Sequence, residues 1–281
     1  MQKITLLIQC KDQKGIIAAV TNFIVSVEGN ITYIDQHVDR EQSVFFMRLE
    51  TELNNPAFSL EQIKNQFKDT IAGNFNMQWD FYNNDIKPKM ALFVSKYTHC
   101  LYDILGRYSA GELFVEIPLI ISNHMDLKPI ADQFRIPFYH VPFTKDNKED
   151  GEKAQIALLK KYDITLVVLA RYMQIITPSL IALYKNKIIN IHHSFLPAFP
   201  GAKPYHSAFK RGVKIIGATS HYVTEELDEG PIIEQDITRV SHINSIEDFI
   251  IKGRDLERVV LARAIKLHSD CLLYTSPSPR D

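Results

Sequence analysis

The stretch TLVVLARYMQIITPSLIALYKNKIINIHHSFLPAFPG, residues 165–201, decides the fold. Two short apolar runs, TLVVLA (165–170) and KIINIH (187–192), flank a helix expected over TPSLIALYKN (177–186). TLVVLA does not alternate apolar with polar residues and KIINIH is only lightly broken, so both strands are expected to be buried on both faces, as in a parallel sheet covered by helices. The same rhythm extends backwards. MALFVS (90–95), EIPLIISN (116–123) and FYHVPF (138–143) read as strands, and segments near 99–109, 127–135 and 148–162 read as the helices between them. After residue 201, KIIGATSHYVT (214–224) and PIIEQDITRV (231–240) lie too close together for a helix and are expected to pair antiparallel. A long helix from about Ser245 to Ser269 follows.

The first third of the chain has another pattern. A strand ITLLIQC (4–10) leads into a helix from Gly15 to Glu28, whose Ile16, Ile17, Val20, Phe23, Ile24 and Val27 recur at helical spacing. Strands NITYIDQHV (30–38) and SVFFMRLET (43–51) come next. A second helix opens on a capping box, Ser59 with Gln62, and stops at Gly73/Asn74. MQWDFYN (77–83) closes a β-α-β-β-α-β order, the ferredoxin-like module. NNDIKPK (83–89), polar and carrying Pro88, reads as a linker. The expected fold is therefore α/β: a ferredoxin-like domain over 1–84 and a Rossmann-like domain with a mostly parallel sheet over 85–270. CLLYTSPSPRD (271–281) fits neither and reads as a non-native tail.

Composition narrows the partner. The 281 residues carry 32 Lys plus Arg against 33 Asp plus Glu, so no electrostatic capture of nucleic acid or an anionic membrane is expected. No apolar run approaches the roughly 18 residues of a membrane span, and MQKITLLIQCKDQKG does not resemble a secretory signal. Cys10, Cys100 and Cys271 are isolated, which fits a reducing, cytoplasmic setting.

The chemistry is expected at the carboxyl ends of the parallel strands, where NIHHSFLPAFPG (190–201) lies. With a side-chain period of two, Asn190 and His192 share a strand face, and Ile191 and His193 point the other way. An amide and an imidazole converging on one point suit a carbonyl oxygen that becomes an oxyanion. Asp228 in ELDEGPII is the expected partner of the imidazole. The competing reading makes His192 a satisfied buried histidine and Asp228 a turn residue. His192, His193, His206 and His221 match no zinc spacing, so no metal is expected.

NIHHSFLPAFPGAKPY (190–205) followed by GATSHYVTEELDEGPIIEQD (217–236) resembles the formyl-transferase fold shared by glycinamide ribonucleotide transformylase and methionyl-tRNA formyltransferase. That family's Asn-x-His and Asp fall on Asn190, His192 and Asp228. LIQCKDQKGIIAAVTNFI (7–24), with Asp12 and Gly15, resembles an ACT domain. With SKYTHCLYDILGRYSAGEL (95–113) and IPLIISNH (117–124) also matching, the chain from Ile4 to about Asp270 resembles the formyltetrahydrofolate deformylase family.

The resemblance implies hydrolysis of 10-formyltetrahydrofolate to formate and tetrahydrofolate, without a cofactor, supplying formate for purine synthesis and balancing one-carbon pools. It implies a pterin slot between ARYMQII (170–176) and YVTEELD (222–228), with Met173, Gln174, Ile175, Val223 and Thr224 as substrate contacts and Gly201 permitting a tight loop beside the formyl group. Met173 and Ile175 could equally be the first buried residues of the next helix. Gln174 stands where some relatives have arginine, which leaves a salt bridge to the glutamyl tail in doubt. At Asp12 and Gly15 the ACT resemblance implies a small amino-acid effector and a homo-oligomer. Two alternatives stay open: a formyltransferase to an amine acceptor, and a catalytically inactive amino-acid sensor. Against the first, a ribonucleotide acceptor needs a phosphate cradle where the first strand of the domain turns into its helix. SKYTHCLYD (95–103) has no glycine there, although Lys96 could offer a charge.

Overall fold

A computed structural model describes residues 2–53, 59–143, 147–198 and 204–270. The chain divides into two compact units, one up to Lys87 and one spanning Pro88–Ser269. Gly201 and the tail 271–281 lie outside the described residues.

The first unit runs β1 (Gln2–Lys11), α1 (Ile16–Ser26), β2 (Gly29–Asp39), β3 (Val44–Leu53), α2 (Leu60–Phe67), α3 (Gly73–Phe75) and β4 (Gln78–Asn83). Its four strands lie in the order β2-β3-β1-β4 and every pairing is antiparallel. The capping box is formed: Ser59 accepts from the Gln62 backbone, and the Gln62 side chain accepts from the Ser59 backbone. The expected second helix is not uniform, because a π-helical turn, Lys68–Ala72, separates α2 from α3. The stop comes two residues after Asn74, at Asn76 in the left-handed region, a conformation that asparagine tolerates better than most residues. Phe67 is fully buried and takes edge-on contacts from Phe23, Trp79 and Phe81 at centroid distances of 5.1, 5.0 and 5.4 Å. Truncating such a ring typically costs about 3–5 kcal/mol.

The second unit continues with β5 (Lys89–Val94), α4 (His99–Ser109), β6 (Glu116–Ser122), α5 (Lys128–Gln133), β7 (Phe138–His140), α6 (Lys148–Lys161) and β8 (Leu166–Ala170). It ends with α7 (Pro178–Leu183), β9 (Ile188–His192), α8 (Pro204–Arg211), β10 (Ile215–Tyr222), β11 (Ile232–Arg239) and α9 (Ile246–Ser269). The strand order is β11-β10-β9-β8-β5-β6-β7. The five strands from β9 to β7 are parallel, and β10 and β11 are antiparallel to their neighbours. All five residues of β8 are buried, as an unbroken apolar run requires. The chain first builds outward from β5 through β6 to β7 and then returns to β8, so the order reverses between β5 and β8.

Two details depart from the sequence reading. β7 has only three residues and ends before Pro142, which cannot donate to a ladder. The rings of His192 and His193, expected on opposite faces, lie 5.2 Å apart. The strand ends at His192, so the alternation that would have separated them no longer applies. Among the described residues no helix is long and apolar enough to cross a membrane.

The hairpin that carries Asp228 closes on Gly230, where a Cβ would lie 1.7 Å from the Tyr222 carbonyl oxygen. Because that contact is backbone, it cannot be relieved by a rotamer change. Gly230→Ala is expected to cost at least about 2 kcal/mol, measured by urea unfolding; an unchanged midpoint would show that the hairpin is not held this tightly.

Candidate active site

The site begins with strand pairing. β9 brings Asn190 and His192 to its carboxyl end, and antiparallel β10 sets His221 opposite Asn190. The β10–β11 register shifts between Ser220 and His221, an irregularity of the kind that re-aims a side chain at a sheet's working end. Asp228 lies in the loop between β10 and β11 with φ 60°, a left-handed conformation in which aspartate is favoured over most residues. Its Oδ1 is 3.2 Å from His192 Nδ1 and 3.7 Å from His221 Nε2. Asn190 Nδ2 is 3.2 Å from His221 Nε2. Asn190, His192 and Asp228 therefore come together, with His221 between the amide and the carboxylate.

The hydrogen bonds assign the ring nitrogens. His221 Nδ1 is 2.9 Å from the Tyr222 carbonyl oxygen, which can only accept, so Nδ1 carries the proton. In the neutral ring Nε2 is then a lone pair and accepts from the Asn190 amide, which fixes the amide's NH2 end and leaves its second N–H free to donate. His192 Nδ1 faces the carboxylate, and its Nε2 is buried without a hydrogen-bond partner among the described residues. An unsatisfied buried ring nitrogen is costly. The hydrogen bond from His192 holds the Asp228 carboxyl well below its ordinary range, against the opposing effect of burial.

The other expected residues are placed as follows. Leu169 pairs with Asn190, so the loop after β8 starts beside the amide. That loop carries Met173, Gln174 and Ile175, and α7 begins only at Pro178. Met173 is 49% exposed and Ile175 63% exposed, so neither is a buried helix residue. Gln174 and Ile175 border a small cavity. Val223 packs against the core of its unit, and the Thr224 hydroxyl donates to the Glu226 carbonyl. In the first unit Gly15 enters α1 with φ 95°, and Asp12 and Gly15 line a cleft of about 660 Å³ with Lys14, Gln36 and Phe45. Sequence reasoning did not place His221 beside Asn190 and Asp228. The sequence pattern carries no signal for it, because its place opposite Asn190 depends on how β10 pairs with β9.

The formyl transferase family pattern matches residues 88–265, and the ACT domain pattern matches residues 4–72. The formyltetrahydrofolate deformylase of Synechocystis sp. is 56% identical over 264 residues, covering 94% of this chain and 92% of that protein. The chain belongs to the formyltetrahydrofolate deformylase family. Members of that family with solved structures include a formyltetrahydrofolate deformylase from Pseudomonas syringae pv. tomato, similar with a TM-score of 0.93 and 46% identity over 96% of this chain and 91% of that one. A glycinamide ribonucleotide transformylase from Geobacillus kaustophilus is similar over 66% of this chain and 100% of its own, with a TM-score of 0.62 and 28% identity.

The depressed Asp228 carboxyl sets a signed expectation. A carboxyl held low in the folded state contributes stability that is fully present above its unfolded value, about 4, and is lost as pH falls below that value. The stability difference between the unaltered chain and Asp228→Asn should be constant from about pH 5 to 8 and shrink below about pH 4. Chemical denaturation across pH checks this, and a difference that grew on acidification would contradict it.

Proposed function

We propose that this chain hydrolyses 10-formyltetrahydrofolate to formate and tetrahydrofolate, with the second unit as the catalytic domain over 85–270 and the first as an ACT regulatory domain over 1–84. The observation that carries the reading is the single cluster of Asn190, His192, His221 and Asp228 in a chain so similar to deformylases along nearly its whole length. Supply of formate to purine synthesis, balance of one-carbon pools and a cytoplasmic setting follow from that activity. The substrate is the only small molecule the scheme needs.

In the mechanism, the free N–H of Asn190 faces the formyl oxygen, joined by the Nε2–H of His192 once that nitrogen has taken a proton, and together they stabilise the oxyanion that forms. Water adds to the formyl carbon, its proton passes to the His192–Asp228 pair, and the same pair returns a proton to N10 as the C–N bond breaks. His221 keeps the amide of Asn190 in the orientation that donates. Exposed Met173 and Ile175, with Gln174, Val223, Thr224 and Gly201, are proposed to contact the folate. Flat apolar surface of this kind suits a pterin ring.

The cleft at Asp12 and Gly15 is proposed to hold a small amino acid. Asp12 suits its ammonium group and Lys14 its carboxylate. Edge strand β2, exposed along most of its length, supports assembly as a homo-oligomer.

Formate release from 10-formyltetrahydrofolate tests the reading. Asp228→Asn is expected to lose several orders of magnitude in turnover with folate binding still measurable, and Asn190→Ala about 10²–10³. Undiminished turnover in Asp228→Asn would refute the assignment. Formyl transfer to glycinamide ribonucleotide, assayed in parallel, would favour the transferase reading instead. Calorimetric titration of small amino acids into the full chain should give heat that Asp12→Ala abolishes; no heat from any of them would leave the cleft without an effector.

A further inference from the structure

The parallel register of the second unit brings three strand ends to one level. Val94, the last residue of β5, pairs with Ser122 of β6 on one side and with Ala170 of β8 on the other. Ser95, Asn123 and Arg171 therefore leave the sheet side by side, at the place where the strand order reverses and sheets of this class open a crevice for ligands. Two hydrogen bonds tie these exits together. The Ser95 hydroxyl donates to Asn123 Oδ1 at 2.6 Å and accepts the Met173 backbone N–H at 3.0 Å. Ser95 is 2% exposed and Asn123 8%.

The hydroxyl has one proton, and its two bonds fix where that proton points. A contact of 2.6 Å is the length of an O–H···O bond, so the proton faces the Asn123 carbonyl and the lone pairs of the oxygen turn to Met173. The loop after β8 is shaped from that contact. Arg171 takes the left-handed conformation with φ 62°, and its N–H turns back onto Leu169 O at 3.1 Å. Tyr172 then points inward: its ring meets Phe93 edge-on at 5.3 Å and its hydroxyl accepts from Gln155 at 2.8 Å. The next side chain, Met173, is carried outward, and with Ile175 it stays open to solvent. An apolar loop that faces water lacks packing on its outer side, so its shape rests on the bonds beneath it.

We propose that Ser95 is a positioning residue for folate: through its bond to the Met173 N–H it holds the loop after β8 at the level where Met173 and Ile175 meet the substrate. The proposal rests on the reading above that this loop contacts the folate, and it adds what keeps the loop ready. A loop ordered before the substrate arrives does not have to be ordered by it, so the bond is felt in affinity. Neither Ser95 bond goes to Asn190, His192 or Asp228, and the chemical step is left alone. A hydroxyl that merely supported the core would instead lower stability without separating KM from kcat.

The test is steady-state formate release from 10-formyltetrahydrofolate by the full chain, with calorimetric titration of tetrahydrofolate and thermal melting alongside. Ser95→Ala is expected to raise KM and weaken tetrahydrofolate binding at least about tenfold, with kcat within about threefold. Asn123→Ala, which frees the hydroxyl to rotate, should show the same split more weakly. The double variant should be no worse than Ser95→Ala, because the two act through one bond; fully additive losses would overturn the proposal. So would a folded Ser95→Ala with unchanged affinity, or one that loses kcat at constant KM. If Ser95→Ala does not fold, Asn123→Ala decides by the same split, and failure of both to fold makes the pair purely structural and sinks the proposal. Met173→Ala and Ile175→Ala separate the two readings. If these weaken binding and Ser95→Ala does not, the folate loop stands and Ser95 falls; if neither of them weakens it, both fall. Tetrahydrofolate titration needs no turnover, so an unaltered chain that releases no formate removes the hydrolase reading and leaves the role of Ser95 to be decided by binding.

Discussion

Asp228 holds its charge because His192 donates to a carboxylate oxygen that His221 also faces, and that arrangement organises the rest of the candidate site. One imidazole orders the amide of Asn190; the other is left with a single unsatisfied nitrogen. A carboxylate alone in so enclosed a place would tend to neutralise itself by taking up a proton. Here the ring hydrogen of His192 makes the ionised form the stable one, at the cost of fixing where the ring must stand. The sheet meets that cost. β9 and β10 are adjacent, and the loop between β10 and β11 returns Asp228 to them through a left-handed residue and a glycine with no room for a side chain.

Much of this was legible in the chain itself. Apolar runs such as LVVLA and the spacing of Ile16, Val20, Phe23 and Ile24 express burial directly, and burial is what periodicity reports. Asn190, His192 and Asp228 were legible because a strand end and a tight loop each leave a local mark. His221 was not, because its role depends on which residue it faces across a strand pair, and a linear pattern carries no register. The proximity of His193 to His192 was hidden for a related reason: alternation is a property of the strand, and the strand stops one residue too early to enforce it. The bonds of Ser95 were further out of reach. They join residues that follow β5, β6 and β8, and only the assembled sheet brings such a group together.

The two units solve burial differently. The first gathers aromatic rings around Phe67 on one side of an antiparallel sheet, whereas the second wraps a largely parallel sheet whose central strands are covered on both faces. A sheet sealed in this way leaves only its strand ends open to small molecules. Both groups of polar residues in the second unit lie at such ends, and the edge strands beyond β9 reverse direction to supply the rest.

Facing positions on β9 and β10 sum to a constant, with Asn190 against His221 and His192 against Thr219. A slide of two residues would keep every side chain on its own side of the sheet and preserve the in-and-out pattern that guides assembly. It would also set Asn190 against Thr219 or Val223, neither of which offers a ring nitrogen. Such a molecule would have a normal secondary-structure spectrum and an ordinary core, yet no working centre. Alignment of these two strands thus stores information that hydrophobic patterning cannot protect.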